Sequence, residues 1–354
     1  MIKVVTCLIG VLMCLISISC NEDANTLPEP SGPGLPVWLV PQEEVFDAGV
    51  GVDGIPSIDN PQFTPAAEIG EIFEDELVLG IEYNGLAKAY PIPILNWHEI
   101  VNDEIDDLSI AITYCPLTDT GIGWNRRVGS RSLSFGVSGL LYNTNLMPYD
   151  RRTNSIWSQQ ALQSVNGLLR GTQINTINMV ETTFKTWKKA YPNSMILNGN
   201  TGFDRAYFIY PYGDYITNDE RLLYPIKTTD RRLPLKERVL GVVIDGKVKA
   251  YRFNQSGVGM ELLSDSFQNS ELLVVRSSDD NFIVAFIKPS GSEFTLVENP
   301  WPAVIKDDEN NFYDLMGRVI SGPGTGSRLD QPVAFIGFWF SWESFYPDVE
   351  IYGS

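Results

Sequence analysis

The chain has 354 residues, of which 44% are hydrophobic and 20% charged, and its formal net charge is -18. That length and balance suit a globular protein with a substantial core, either two domains or one large β-structure. With 26 Lys and Arg against 44 Asp and Glu, nucleic-acid backbones and anionic lipid surfaces are poor partners, because both need clustered positive charge.

Residues 1–19 read as a signal peptide. Lys3 supplies the positive start, and Val4 to Ile16 is an apolar run too short to span a bilayer comfortably. Ser17-Ile18-Ser19-Cys20 then resembles a bacterial lipoprotein processing site, with Cys20 as the first mature residue and the acylated one. Stable anchoring needs more than one acyl chain. Asn21-Glu22-Asp23 resembles the acidic tags that follow the lipidated cysteine of surface-exported lipoproteins. The expectation is an extracytoplasmic protein, lipid-anchored to the outer membrane or cell surface of a bacterium, whose one foreseeable partner is that membrane. Cleavage without lipidation is the alternative. Residues 20–36 form a Pro/Gly linker, extended and without a core.

From residue 37 the pattern is β-rich. Asp75 to Tyr90 forms two strands about Asn84-Gly85, and the motif returns 161 residues later as Lys236 to Tyr251 about Asp245-Gly246. Only residues that tolerate φ > 0 fit such two-residue turns, so both are read as hairpins. A second echo, with an offset of 155, runs from Trp187…Tyr191-Pro192 to Trp342…Tyr346-Pro347, and from Gly167 and Gly171 to Gly322 and Gly326. Two echoes in the same order imply tandem duplication. The expected layout is a first copy over 37–203, a tyrosine-rich connector over 204–229 and a second, degenerate copy over 230–354. The fold class is mainly β (β-rich α+β), as two related sub-domains, each with hairpins and one short helix.

Within the first copy, Ser109 to Cys115 alternates as a strand. Ile110, Ile112 and Tyr114 share one face, Ala111, Thr113 and Cys115 the other, and Pro116 ends it. Glu181 to Ala190 reads as a helix capped by Thr182 or Thr183, with Phe338 to Phe345 as its counterpart. The connector carries Tyr207, Tyr210, Tyr212, Tyr215 and Tyr224. Such a stretch covers a seam between halves or, less commonly, stacks on sugars.

Chemistry concentrates in one place. His98 is the only histidine. Of the four cysteines, Cys7 and Cys14 leave with the leader and Cys20 is acylated, so Cys115 has no disulfide partner. Counting by the first offset, His98 falls on Gly259 and Cys115 near Arg276 or Ser277. The second copy is therefore blank, and any site belongs to the first.

Ligand arithmetic removes several centres. Type-1 copper, structural zinc, iron–sulfur clusters and covalent haem all need more Cys or His than exist. Gly136-Val137-Ser138-Gly139-Leu140 misses the last glycine of a hydrolase elbow. Gly322-Pro323-Gly324-Thr325-Gly326-Ser327 lacks the lysine of a phosphate cradle. What survives is a Cys115–His98 pair, in which imidazole lowers the thiol pKa to give a nucleophile or a ligand for a copper-type soft metal ion. Asp119 or Asp103 would orient the imidazole or add an oxygen ligand. The alternative is a buried, inert cysteine and a hydrogen-bonded core histidine. Ser138, Tyr142, Asn145, Asp150, Arg151, Trp157 and Gln159 form a polar cluster that either lines the pocket or braces a turn.

At these residues the chain resembles the bacterial and archaeal domain-of-unknown-function family numbered 3179. The resemblance rests on His98-Glu99-Ile100-Val101-Asn102-Asp103, Thr113-Tyr114-Cys115-Pro116-Leu117, Phe135-Gly136-Val137-Ser138-Gly139-Leu140, Tyr149-Asp150-Arg151 and Ser155-x-Trp157-Ser158-Gln159. Asp53-Gly54-Ile55-Pro56 and Pro211-Tyr212-x-x-Tyr215 fit too, so it spans about residues 37–350. It implies no assigned activity. Some relatives carry Cys-Pro-Leu-Cys where this chain has Cys115-Pro116-Leu117-Thr118, so dithiol exchange is disfavoured here and a monothiol or metal-ligand role stays open. The expectations are a Cys/His site for thiol redox chemistry or soft-metal binding, a non-catalytic surface module for glycan or protein, or a cysteine-nucleophile hydrolase.

Overall fold

Alternating apolar residues and turn-forming Asn, Asp and Gly drive most of this chain into short antiparallel strands, shown by a computed structural model that describes residues 37–70, 73–228, 230–253 and 259–354. The signal peptide, Cys20 and the linker lie outside the described residues. The chain is mainly β, with three short α-helices: α1 (Ile92–His98), α2 (Phe184–Ala190) and α3 (Trp339–Phe345). Among the described residues no helix is long and apolar enough to cross a membrane.

The two halves repeat one another strand by strand. The hairpin Leu77–Tyr83/Leu86–Pro91 turns at Asn84 (φ 51) and Gly85 (φ 84). Its counterpart Arg238–Ile244/Lys247–Arg252 turns at Asp245 (φ 50) and Gly246 (φ 73). Each hairpin is flanked by an antiparallel strand, Val180–Thr183 or Val333–Phe338, and by a parallel one, Met195–Leu197 or Glu350–Ile351. The helix after the antiparallel strand lays an indole on the sheet. A Cβ added to Gly80 would come within 2.2 Å of the Trp187 ring, and one added to Gly241 within 2.3 Å of the Trp342 ring. Only glycine admits that approach.

Two expectations need correction. Glu181 to Thr183 and Phe338 belong to strands rather than helices, because pairing with the hairpin satisfies their backbone before the helix starts. Thr183 is the cap, its hydroxyl accepting from the Thr186 amide. The sequence pattern does not mark the helix α1. It makes about two turns, follows Pro91 directly and carries Pro93 in its first turn, where a missing N–H costs nothing.

Each hairpin leads into a three-stranded meander: Ile100–Ile105, Leu108–Cys115 and Thr120–Asn125 in the first copy, and Met260–Phe267, Ser270–Ser277 and Phe282–Ile287 in the second. Asp103 takes hydrogen bonds from the Tyr90 hydroxyl (2.7 Å) and Lys88 Nζ (2.7 Å). Asp265 takes the same from Tyr251 (2.7 Å) and Lys249 (2.6 Å). The hairpins match at an offset of 161 and the meanders at 162, so one residue is inserted between them in copy two. This moves the expected register: Cys115 matches Ser277, Glu99 matches Glu261, and His98 matches Met260 rather than Gly259.

The copies interlock. Ile110, Ile112 and Tyr114 pack with the first copy's own hairpin and α1. Ala111 and Cys115, on the opposite face, share a core with Trp339, Phe340 and Trp342 of α3. Reciprocally, Phe184 and Trp187 of α2 share a core with Val275, Phe282 and Phe286 of the second meander. Each meander turn is tied to the other copy, by Phe338 N–H to Thr118 O (2.8 Å) and by the Thr182 hydroxyl to Asp280 O (2.9 Å).

Candidate functional site

Cys115 ends the middle strand of the first meander, and Pro116-Leu117-Thr118-Asp119 turns the chain into Thr120. Thr118 N–H donates to Cys115 O (3.2 Å) to close the turn. The bare Cβ position of Gly337 lets it approach the second copy, since a methyl there would meet the Thr120 side chain at 2.8 Å. The thiol is free and 1% exposed. Its S–H reaches Thr144 O at 3.7 Å, while Sγ faces the Thr118 hydroxyl and the Leu146 and Leu117 amides. Burial pushes its pKa up to about 11, and the nearby Glu99 carboxyl adds to that; the three hydrogen bonds to sulfur oppose it.

Glu99, not His98, is thus the carboxyl whose charge reaches the thiol, alongside the hydroxyls of Tyr210, Tyr212 and Tyr215. It caps α1 with φ 56 and ψ -30, a conformation that a non-glycine residue adopts only when its surroundings hold it there. Its carboxyl is buried, and burial pushes its pKa up to about 8, partly offset by the Tyr212 hydroxyl donating to it. Among the described residues no Lys or Arg forms an ion pair with it. Glu99 faces a hollow of about 70 Å³ whose other walls include Leu117, Leu146, Val137, Tyr212 and Tyr224. That volume holds a few waters or a very small molecule.

The expected Cys115–His98 pairing is not formed. The imidazole is fully buried at the end of α1, with Nδ1 2.7 Å from Pro56 O and Nε2 2.7 Å from the Tyr207 hydroxyl. A carbonyl only accepts, so Nδ1 carries a proton. Burial lowers the pKa of the ring, partly offset by the Pro56 hydrogen bond, so the ring is neutral and Nε2 accepts from Tyr207. His98 is therefore a pin between the 56 region and the connector. Nor do the two aspartates reach it. Asp103 is held by Tyr90 and Lys88, and Asp119 accepts from the Tyr114 hydroxyl (2.8 Å) and pairs with Arg238 of the second copy (2.6 Å).

The donor set does not fit a soft metal ion. Among the described residues no three His, Cys, Asp or Glu side chains gather closely enough to ligate one. The imidazole has no free nitrogen, and a thiol held protonated is a poor ligand.

The polar cluster divides in two. Asn145 donates to the hydroxyls of Thr118 (2.9 Å) and Thr120 (3.0 Å) and to Gln159 Oε1 (2.7 Å), while Gln159 Nε2 donates to the Thr113 hydroxyl (3.0 Å). This buried network stands directly behind the Cys115 turn. The others brace loops. Asp150 accepts from the Thr153 amide and from Trp157 Nε1, and Arg151 pairs with Asp53 and Asp59. Ser138 donates to Met147 O at a strand bulge, and Tyr142 packs its ring against Phe345. Sequence reasoning missed Glu99 and Tyr212 as site residues. The signal was an acid set directly before the apolar pair Ile100-Val101, where charge is costly.

The connector closes the site. Tyr210 and Tyr215 donate to the carbonyls of Pro116 (3.2 Å) and Leu117 (2.8 Å), and Trp97 Nε1 donates to Ile209 O (3.1 Å). Lys236 Nζ fastens its far end through Tyr215 O (2.6 Å) and Asn218 O (2.6 Å). The connector thus bonds both to the Cys115 turn and to Lys236.

Searches of curated proteins and of solved structures find no match for the chain. A family model described as a protein of unknown function (DUF3179) matches residues 52–349. That span takes in both copies, the connector and the Cys115–Glu99 site, and the chain belongs to the DUF3179 family.

Proposed function

We propose that the first copy carries a single thiol–carboxyl site, Cys115 with Glu99, which performs thiol–disulfide exchange on a small molecule admitted over Glu99. One observation carries this reading. Glu99 is buried without a counter-cation in the copy that holds the thiol, whereas the matching Glu261 pairs with Arg276 (2.7 Å) in the copy where Ser277 replaces the cysteine. A carboxyl kept buried and unpaired beside a sulfur is suited to moving that sulfur's proton. As Cys115 sulfur attacks a disulfide R–S–S–R, its proton passes to the Glu99 carboxylate and then to the departing RS⁻. The products are the mixed disulfide Cys115–S–S–R and RSH. With the thiol sealed, the connector tyrosines over Pro116 and Leu117 must first lift.

The protein would work outside the cytoplasm, tethered through acylated Cys20 to the outer membrane or cell surface. Labelling with an alkyne fatty acid, lost in Cys20→Ser, tests the tether.

The site is tested by incubating the protein with bis(2-hydroxyethyl) disulfide between about pH 6 and 9 and weighing it. One adduct on Cys115 is expected, formed on the order of a hundredfold more slowly in Glu99→Gln. No native-state adduct, or equal rates in the two proteins, sinks the reading. A second reading, a non-catalytic binding surface, is favoured by the exposed Phe203 and, in the connector, Phe208 and Ile209. It predicts glycan or protein capture that survives Cys115→Ser.

A further inference from the structure

A second hollow, of about 150 Å³, lies between the first hairpin sheet and the connector. Its walls include Ile69, Phe73, Ile94, Phe184, Ile196 and Phe208, and almost all of its surface is hydrocarbon. Water inside would find too few hydrogen-bond partners, and dry apolar hollows of about this size accept benzene-sized molecules. Leaving such a space empty is unfavourable, because the wall atoms lack contacts on one side.

The mouth is apolar too. Phe208 is 63% exposed, and its ring stands 5.2 Å from that of Phe73. Among the described residues the only ionisable side chains on the wall are Glu76 and Tyr207, which offer an anion no counter-charge. Around Glu237, which matches Glu76, the second copy instead has an open crevice lined by Lys236, Arg238 and Arg252. The apolar hollow is a property of the first copy.

We propose that this hollow binds a compact apolar molecule, one aromatic ring or a short chain of similar bulk, uncharged or bearing an amine. The inference is independent of the chemistry at Cys115. It comes with its own reporter: Tyr207 forms part of the wall, its hydroxyl bonds His98 Nε2, and its ring lies 5.6 Å from the imidazole. His98 is the only histidine in the chain, so its ring protons stand alone in a spectrum.

The test titrates the full chain, secreted as Cys20→Ser and purified without a histidine tag, with toluene, benzylamine and benzoate. Binding is read from the His98 proton resonances and from saturation transfer to the ligand. Toluene and benzylamine should bind saturably at one equivalent, with benzoate at least about tenfold weaker. Two variants fill the hollow. In Gly199→Phe the new Cβ starts 3.8 Å from the Tyr207 ring, and Ile69→Trp enters from another wall. Loss of toluene binding in either folded variant supports the proposal. It is overturned if toluene shows no saturable binding by either readout, if both folded variants bind as the parent does, or if benzoate binds as tightly as toluene.

Discussion

The two copies share a skeleton and differ in what they bury at one turn. In the first, the middle meander strand ends in Cys115-Pro116-Leu117-Thr118-Asp119, clamped under connector tyrosines and against α3. In the second it ends in Ser277-Ser278-Asp279-Asp280-Asn281, where Asp280 accepts from Ser277 and pairs with Lys189 at the surface. The backbone is the same four-residue link between paired strands in both. Side chains alone decide whether that link is a solvated corner or the lid of a sealed thiol. On this shared skeleton one half keeps the costly group and the other braces it.

The hardest test of this comparison separates the halves. Because two hydrophobic cores take residues from both copies, 37–203 or 230–354 expressed alone should remain unfolded by circular dichroism, while the two mixed regain structure; a half that folds unaided would break the interlocked description. Next come the two matched indoles. Trp342→Ala and Trp187→Ala each delete a fully buried ring and should cost about 3–5 kcal/mol in denaturant melts. Only Trp342→Ala should also speed alkylation of Cys115, because only that indole shares the thiol's core.

A third test is set by pH. The Glu99 carboxyl rises from an ordinary 4.5 to about 8 on folding, so the folded chain holds that proton more tightly than the unfolded one. Its stabilising contribution is complete below about pH 4.5 and fades as the pH climbs to about 8. Glu99→Gln should therefore be near neutral in melts at pH 4.5 and stabilise by a few kcal/mol, roughly 3–5, at pH 8. A flat difference across that range would remove Glu99 from the buried, cation-free role. The smallest expected effect is shared by the copies. Gly85→Ala and Gly246→Ala both force a methyl onto positive φ and should each cost about 1–2 kcal/mol.

Patterns set by neighbours in the chain were legible in the sequence. The Asn84-Gly85 and Asp245-Gly246 turns, the two-faced strand ending at Cys115, the Thr183 cap and the repeat all follow from local chemistry. Short helices fixed by tertiary contact were harder. Nothing before Pro93 marked α1, and Glu181 looked helical because the hairpin edge that captures it lies about a hundred residues earlier. The site was half legible. One thiol on the core-facing side of a strand was evident, but the partner of that thiol depends on where α1 ends. An α1 one residue longer or shorter would turn Glu99 away, and no periodicity fixes such a boundary. The lone imidazole drew attention by rarity, while its role as a pin rests on Pro56 O and Tyr207, 42 and 109 positions away.

The reciprocal seating of α2 and α3 makes the two halves answerable to one another. A change of bulk under either helix is met by residues of the half that does not carry it, so a repair for damage in one half can sit in the other.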